Sequence, residues 1–304
     1  LGDVYKRQRS VPCTRQLGMA VIVALLVVAL VAVIATALLT RQSAQLRALR
    51  GDQLRAQVRM AVDATLERAA QQLREDVKEQ LTTVRSGRWA RPLTLQTPLP
   101  VELQLVDAQS MFNLRNLLAQ GRPDPEARRA FIALCAGQGL GQGACASAAD
   151  HIQARLRDGD MQAQAPLPRE SLIVQALPGA DPVAVQALAR RTVVLPAQTL
   201  VNANTCDLRV LQAVTPAVEP ARLQSLLGER DAGHWLLNRG DIANRLQLSN
   251  EQMAVLPLGI HSEWFLAVGQ VQADGSAVDF RALLWREYRD DGVRVQRVWT
   301  RIGA

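Results

Sequence analysis

The feature that most constrains this chain is an uncharged apolar run over residues 19–39, MAVIVALLVVALVAVIATALL. As a helix rising 1.5 Å per residue, the run is roughly 32 Å long, enough to cross the hydrocarbon core of a bilayer. It is apolar on every side, which disfavours a helix of a soluble protein. Its length, and the lack of an Ala-x-Ala-like site after it, disfavour a cleaved secretory signal. The run therefore predicts one retained membrane span.

Helical periodicity continues beyond this run. Leucine and valine recur at mostly three-, four- and seven-residue steps between Leu46 and Leu81, with Arg, Gln and Glu between them. Gly87 offers a helix C-cap, and Pro92 prevents continuation soon after. We therefore predict one long helix over residues 19–87. Basic residues flank both ends of the span, so the positive-inside rule does not decide its orientation.

The net charge of +7 lies entirely in the N-terminal segment. Residues 1–60 hold nine basic and two acidic residues, so residues 61–304 retain 26 of the 35 basic and 26 of the 28 acidic ones. The rest of the chain is neutral and lacks the basic footprint of a nucleic-acid-binding domain. A hydrophobic content of 48% favours a packed core over disorder.

The start of the chain is interpreted as a leader. The sequence begins with Leu, and residues 1–8 resemble read-through sequence more than a native leader. We expect a leader over residues 1–18, of which the first eight are treated as non-native and set aside in the fold prediction.

The region after the long helix begins and ends with strand patterns. Residues 101–106 alternate apolar and polar side chains, which predicts a strand. Near the C-terminus, residues 264–271, 277–288 and 293–299 show strand character and are separated by Asp-Gly turn signals. These last three segments predict an antiparallel meander.

The sequence pattern of the region between these strands predicts short helices separated by Pro, Gly, Ser and Asp. The predicted helices are residues 125–135, 147–157, 169–176, 182–190, 207–214 and 220–227. We therefore predict an α+β fold, in which a long N-terminal helix packs on an antiparallel sheet. Residues 88–112 and 251–304 are expected to form the sheet part, and residues 113–250 a large all-helical insertion.

Motifs for catalysis are absent from the sequence. It contains no Gly-x-Ser-x-Gly, His-Glu-x-x-His, Cys-x-x-Cys or phosphate-binding loop. His151, His234 and His261 share no ligand spacing, and the Gly-rich stretch 137–143 lacks Lys. We predict that the protein is not an enzyme; an envelope enzyme with a scattered site is the alternative.

The cysteines leave their redox state open. Cys135 and Cys145 flank the Gly-rich stretch, and in an oxidising compartment a disulfide between them would stabilise the fold by roughly 3 kcal/mol. A bridge and two free thiols are both compatible with the sequence. Cys206 is expected to be a buried free thiol, and Cys13 lies in the leader.

The start of the apolar helix resembles the class III signal of type IV pilin-like proteins. That signal consists of a charged stub, a Gly and an apolar helix with an amphipathic extension, and prepilin peptidase cuts after the Gly, here between Gly18 and Met19. Most such pilins carry Glu at the fifth residue after the cut, where it meets the N-terminal amine of a neighbouring subunit; this chain has Val23. The departure suits a subunit at the filament tip.

Two further segments resemble the minor pseudopilin K family of type II secretion. VDAQSMFNLRNLL over residues 106–118 is similar to that family's Asp-x-x-x-x-Phe-Asn-Leu-Asn-x-Leu run, with Arg115 in place of Asn. LPAQTLVNANT over residues 195–205 is similar to its Leu-Pro…Val-Asn-Val-Asn-Thr segment. Asn side chains bond nearby backbone groups, so we predict structural turns at the four Asn residues of these segments: Asn113, Asn116, Asn202 and Asn204.

The resemblance implies a non-enzymatic subunit at the tip of the pseudopilus that serves protein export across the outer membrane. It implies a single-pass anchor in the inner membrane and a periplasmic location for most of the chain. The implied partners are minor pseudopilins I and J, prepilin peptidase and the inner-membrane assembly platform, with no nucleic acid.

Calcium is the one cofactor that the resemblance raises, since the family is expected to bind it through an acidic loop. Here the comparable stretch offers only Asp150, Asp158 and Asp160, of which Asp158 and Asp160 are weak candidate ligands. We expect calcium binding to be weak or absent, and no other cofactor.

A second function remains as an alternative, a membrane-anchored DNA-binding protein of the competence type. Residues 177–179 (Leu-Pro-Gly) before a helix, and residues 201–205 after it, resemble helix-hairpin-helix modules. Such modules use a second Gly that approaches phosphate, but here Asp181 holds that place and would repel the ligand.

Overall fold

The computed structural model describes residues 17–96, 98–157 and 169–303. The chain divides into two compact units, Leu1–Ala56 and Gln57–Ala304. Helix α1 (Leu17–Glu79) begins in the first unit and ends in the second. Its N-terminal part is long and apolar enough to cross a membrane, by length and composition, and the apolar side chains described there are exposed.

The remaining elements all lie in the second unit. The helices are α2 (Pro125–Ala136), α3 (Gln142–Arg157), α4 (Arg169–Ala176), α5 (Pro182–Arg190), α6 (Leu208–Val214), α7 (Pro220–Asp231), α8 (Arg239–Leu246) and α9 (Asn250–Val255). The longer strands are β1 (Leu93–Gln96), β2 (Pro100–Asp107), β9 (Trp264–Ala273), β10 (Ser276–Arg289) and β11 (Gly292–Ile302). The two-residue strands are β3 (Phe112–Asn113), β4 (Leu118–Ala119), β5 (Arg122–Pro123), β6 (Thr192–Val193), β7 (Val201–Asn202) and β8 (Leu258–Gly259).

The longer strands form one antiparallel sheet in the order β1-β2-β9-β10-β11. Strands β9, β10 and β11 follow one another, as the predicted meander requires. Strand β2 pairs with β9, with Asp107 opposite Phe265. The chain between these two neighbouring strands is the helical insertion. The predicted α+β class, with a long helix, an antiparallel sheet and a helical insertion, is confirmed.

Helix α1 ends at Glu79, earlier than the predicted end at residue 87. The β-branched residues Thr82, Thr83 and Val84 disfavour helix, and tertiary contacts occupy the backbone there. Thr83 donates its N–H to the Ile260 carbonyl at 3.0 Å, and its carbonyl accepts from Asn202. Gly87 has φ −57° and does not form a left-handed C-cap.

The insertion is helical without being all-helical. Two-residue strands lie within it and at its edges, and β3 pairs with β6 as β7 pairs with β8. Helices α8 and α9 were not predicted, and α9 extends the helical region past residue 250. Ser249 begins α9 with a capping box, in which its hydroxyl accepts from the Gln252 N–H and the Gln252 side chain accepts from the Ser249 N–H.

The C-terminal part of α1 buries an apolar stripe at helical spacing, including Val58, Val62, Leu66 and Leu73. The opposite face of the sheet is partly covered by the insertion, where Val193 and Leu195 pack near Leu283. A larger cluster of buried aliphatic residues forms the insertion's own core. The second unit therefore has apolar layers on both sides of one sheet.

Candidate functional site

Buried polar side chains from five segments meet where α1, the sheet and the insertion join. We call this set the polar junction. Its members are Asp76, Thr83, Asp107, Asn202, Thr205, Ser262 and Arg286, all of them buried. Buried polar groups are stable only when hydrogen-bonded, so their partners determine what the junction can do.

Asp107 is the acidic centre of the junction. One carboxylate oxygen accepts from the Gln109 N–H at 2.8 Å. The other accepts from Thr205 Oγ1 at 2.5 Å, Ser262 Oγ at 2.7 Å and Asn202 Nδ2 at 3.0 Å. Burial raises the pKa of Asp107, and these donors oppose that rise. The carboxylate thus ties the end of β2 to residues 202–205 within the insertion and to Ser262 just before β9.

Arg286 provides the matching positive charge from β10. Its guanidinium donates to Asp76 Oδ2 at 3.1 Å, Thr83 Oγ1 at 2.6 Å and the Ser262 carbonyl at 2.7 Å. The cation also lies 4.7 Å from the centre of the Phe265 ring. Arg286 therefore joins the sheet to the end of α1 and to the chain that leaves the insertion.

Asp76 completes the ion pair from α1. Both side chains are almost fully buried, with side-chain exposures of 1% for Arg286 and 3% for Asp76. Burial raises the pKa of Asp76, while the Trp89 N–H and the Arg286 charge act to lower it. A buried pair of this kind specifies one geometry more than it adds stability.

The four predicted turn asparagines lie in two groups. Asn202 donates to the Thr83 carbonyl, Asp107 and Ser262, and it accepts from the Asn204 N–H at 3.0 Å. Asn204 both donates to and accepts from the Leu236 backbone at 2.9 Å. The sequence predicted bonds to nearby backbone groups. Most of the observed bonds instead connect segments that are far apart in the chain.

Asn113 and Asn116 form the second group, on the segment that follows β2. Asn113 accepts from the N–H groups of Arg115 and Leu195, and it donates to the Ala197 carbonyl at 2.8 Å. Asn116 donates to the Thr199 carbonyl at 2.7 Å and accepts from the Thr199 N–H at 3.0 Å. The two segments that carry the family resemblance are therefore hydrogen-bonded to each other.

The processing residues lie at the start of α1. Gly18 and Met19 are helical, and Met19 and Val23 are 67% and 54% exposed. Val23 adds no carboxylate to the apolar surface of the helix. Residues 1–16, with Cys13, lie outside the described residues.

The cysteine pair is bridged. Cys135 near the end of α2 and Cys145 in α3 form a disulfide with a Cα–Cα distance of 5.8 Å. Cys206 is free and buried, and burial raises its pKa to about 12. A thiol in this state is protonated at neutral pH and is a poor nucleophile.

The described residues do not supply a metal site, since they contain no group of three or more His, Cys, Asp or Glu side chains placed to hold an ion. Asp150 is held by the Arg128 guanidinium, with contacts of 3.0 and 3.1 Å. The candidate ligands Asp158 and Asp160 lie outside the described residues. The expectation of weak or absent calcium binding therefore stays a prediction.

Sequence reasoning did not find the ion pair of the polar junction, although two weak signals exist. Asp76 interrupts the apolar stripe of α1 beside Leu73, and Arg286 occupies an inward position of β10 between Leu284 and Tyr288. A charged residue on an inward face suggests a buried partner. The sequence contains many acidic and basic residues, and it does not indicate that Asp76 and Arg286 are the ones that pair.

An apolar N-terminal helix that continues into a unit where it packs with an antiparallel sheet is the architecture that the resemblance to pilin-like proteins implies. Residues 201–260 match the family model of protein K of the type II secretion system. This segment begins at Val201 and contains Asn202, Thr205 and part of the insertion's core.

The fold is similar to that of GspK in the crystal structure of the GspK-GspI-GspJ complex from the enterotoxigenic Escherichia coli type 2 secretion system. The TM-score is 0.65 at 19% sequence identity, over 84% of this chain and 99% of the other. No curated protein sequence matches the chain significantly. The resemblance to protein K of type II secretion is thus confirmed by a sequence segment and by the fold.

Proposed function

We propose that the chain is a minor pseudopilin of type II secretion that forms the tip of the pseudopilus and assists protein export across the outer membrane. The observation that carries the proposal is the match to protein K over residues 201–260, which supply Asn202 and Thr205 to the polar junction, within a GspK-like fold. The neighbour in that fold comparison was crystallised with GspI and GspJ. Minor pseudopilins I and J are therefore the proposed partners.

The tip position is supported by the place of the insertion. Asn202 contacts Thr83, and Arg85 donates to the Thr205 and Cys206 carbonyls, so the insertion packs beside the C-terminal end of α1. A bulky group at that end would block a further subunit from stacking above it. Val23 supports the same position. Most pilins have Glu there, which contacts the N-terminal amine of an earlier subunit, and a subunit at the tip has no earlier subunit to contact.

In the proposed assembly pathway, the protein is first inserted in the inner membrane. The apolar part of α1 is its single anchor, the second unit lies in the periplasm, and prepilin peptidase cuts between Gly18 and Met19. The inner-membrane assembly platform then extracts the helix into the pseudopilus. No catalytic step is assigned to the protein, because the titratable groups of the polar junction are buried and hydrogen-bonded to one another.

DNA binding is the less favoured function. If residues 177–205 formed a helix-hairpin-helix module, the N-terminus of α5 would face a phosphate of the DNA. Asp181 is the N-cap there, and its carboxylate accepts from the N–H groups of Val183 and Ala184 at 3.3 and 3.1 Å. The helix end that phosphate would need is already occupied by a negative charge.

The mass of the membrane-extracted protein, co-expressed with a prepilin peptidase, tests the proposal. We expect loss of every residue up to Gly18, and no loss in a Gly18→Leu variant. The matched control is Gly51→Leu, which makes the same change farther along α1 and should leave cleavage intact. An uncut chain would identify an ordinary membrane anchor and remove the pseudopilin proposal.

A further inference from the structure

Strand β11 leaves one edge of the five-stranded sheet open. It is 11 residues long and contains no Pro, whereas β1 at the other edge has four residues. Within the described residues, β11 pairs with β10 and with no other strand. A long edge strand without a cover is a template for the addition of another strand.

The direction of one hydrogen bond shows which backbone groups face outward. Arg286 donates its N–H to the Glu263 carbonyl at 2.6 Å, on the β9 side of β10. Its partner in register is Val295, so that pair does not exchange hydrogen bonds. The N–H and C=O of Val295 therefore point away from β10.

The same geometry repeats at every second residue. The register between β10 and β11 is regular from Leu284–Arg297 to Arg289–Gly292, and it shifts only between Leu283 and Leu284. Val293 and Arg297 thus share the outward direction of Val295. Three residues present a ladder of free backbone groups that an extended chain can complete.

Charge indicates what kind of chain fits. Strand β11 carries Arg294, Arg297 and Arg301 and no acidic residue. Arg297 is paired with Asp63 of α1, and Glu287 lies opposite Arg294 in register, while the turn before the strand holds Asp290 and Asp291. Antiparallel addition of a second copy would bring two sets of these arginines together without acidic residues between them. An acidic strand is the complementary occupant.

We propose that the edge of β11 between Val293 and Arg297 receives an extended acidic segment of a partner subunit by β-strand addition. This inference rests on the proposed function, since the partner is another subunit of the pseudopilus. Main-chain hydrogen bonds supply the contact, and the arginines select for acidic side chains.

The test uses the full-length chain in detergent, purified with pseudopilins I and J from the same bacterium. Hydrogen exchange is measured at the amides of Val293, Val295 and Arg297, alone and in the complex. We expect these amides to exchange at least about tenfold more slowly in the complex. A complex that leaves all three unprotected would overturn the strand-addition inference while the proposed function stands. Failure to form any complex would remove both.

Two variants report on the contact itself. Val295→Pro removes an outward N–H that the fold does not use, and Val295→Thr is its control because it keeps the N–H and the branched side chain. We expect only the Pro variant to weaken the complex. Should the Pro variant not fold, Arg294→Glu is expected to weaken binding about 2- to 5-fold, whereas Arg91→Glu beside the opposite sheet edge leaves it unchanged. Equal effects of the two charge reversals would refute the acidic occupant.

Discussion

Removal of one partner of the buried Asp76–Arg286 pair provides a demanding test of the polar junction. At 3.1 Å and an effective dielectric constant near 20, the attraction between the two charges is roughly 5 kcal/mol. Burial raises the pKa of Asp76, although the Trp89 N–H and the Arg286 charge act to lower it, so the cost of burying the charge offsets this attraction. The intact pair therefore adds little net stability, but either charge left alone in this place is costly.

Asp76→Ala leaves the Arg286 guanidinium buried without its counter-charge, and Arg286→Met leaves the carboxylate in the same state. We expect each change to lower the free energy of unfolding by about 3–5 kcal/mol. The double variant should cost at least about 2 kcal/mol less than the sum of the two, because it leaves no unpaired charge.

The measurement is urea unfolding of the full chain in detergent, followed by tryptophan emission, to which Trp89 beside Asp76 contributes. Asp63→Ala is the control on the same helix. Its pair with Arg297 is about half exposed, so its loss should cost less than about 1 kcal/mol. If Asp76→Ala costs no more than Asp63→Ala, or if the two junction changes simply add, the ion pair does not hold the junction together.

Three further predictions concern other parts of the fold. Gly269→Ala in β9 should destabilise the protein by about 2–4 kcal/mol in the same assay, because the new Cβ would lie 2.5 Å from the Glu102 carbonyl oxygen and from the Phe280 ring; Gly228→Ala on the open surface of α7 is the control and should stabilise by about 0.4–1 kcal/mol. Iodoacetamide at pH 8 should not label Cys206 in the folded protein, since its pKa is about 12, but should label it after denaturation without reductant; more free thiols than Cys206 and Cys13 at that stage would contradict the disulfide. Calcium should leave the melting temperature unchanged, and a clear increase would reveal ligands outside the described residues.

Local sequence patterns were enough to predict much of the fold. Strands β9, β10 and β11 follow from alternation and Asp-Gly turns, and α2 and α5 follow from Pro at their first positions after an Asp cap. Helix α8 was not predicted because its sequence is mostly polar, although Asn238 is its N-cap and Asp241 lies in its first turn. Strand β1 is four residues long and half exposed, too short for periodicity to reveal.

The junction could not be predicted in the same way, because its pairs depend on the three-dimensional arrangement of distant segments. Asp76 and Arg286 are 210 residues apart, and Asn202 reaches Thr83 across 119 residues. The two segments that contain these asparagines resemble the minor pseudopilin K family, but local turns explain only part of their hydrogen bonding. The end of α1 was misjudged for the same reason, since Thr83 is held by tertiary bonds.

The neighbouring positions of Asp107 and Phe265 have a mechanical consequence. The insertion leaves and re-enters the sheet at adjacent strands, and buried bonds from Asn202 in its middle and from Ser262 at its end hold it against Thr83. A displacement of the insertion therefore acts directly on Thr83, four residues after the end of α1, through hydrogen bonds of 3.0 Å.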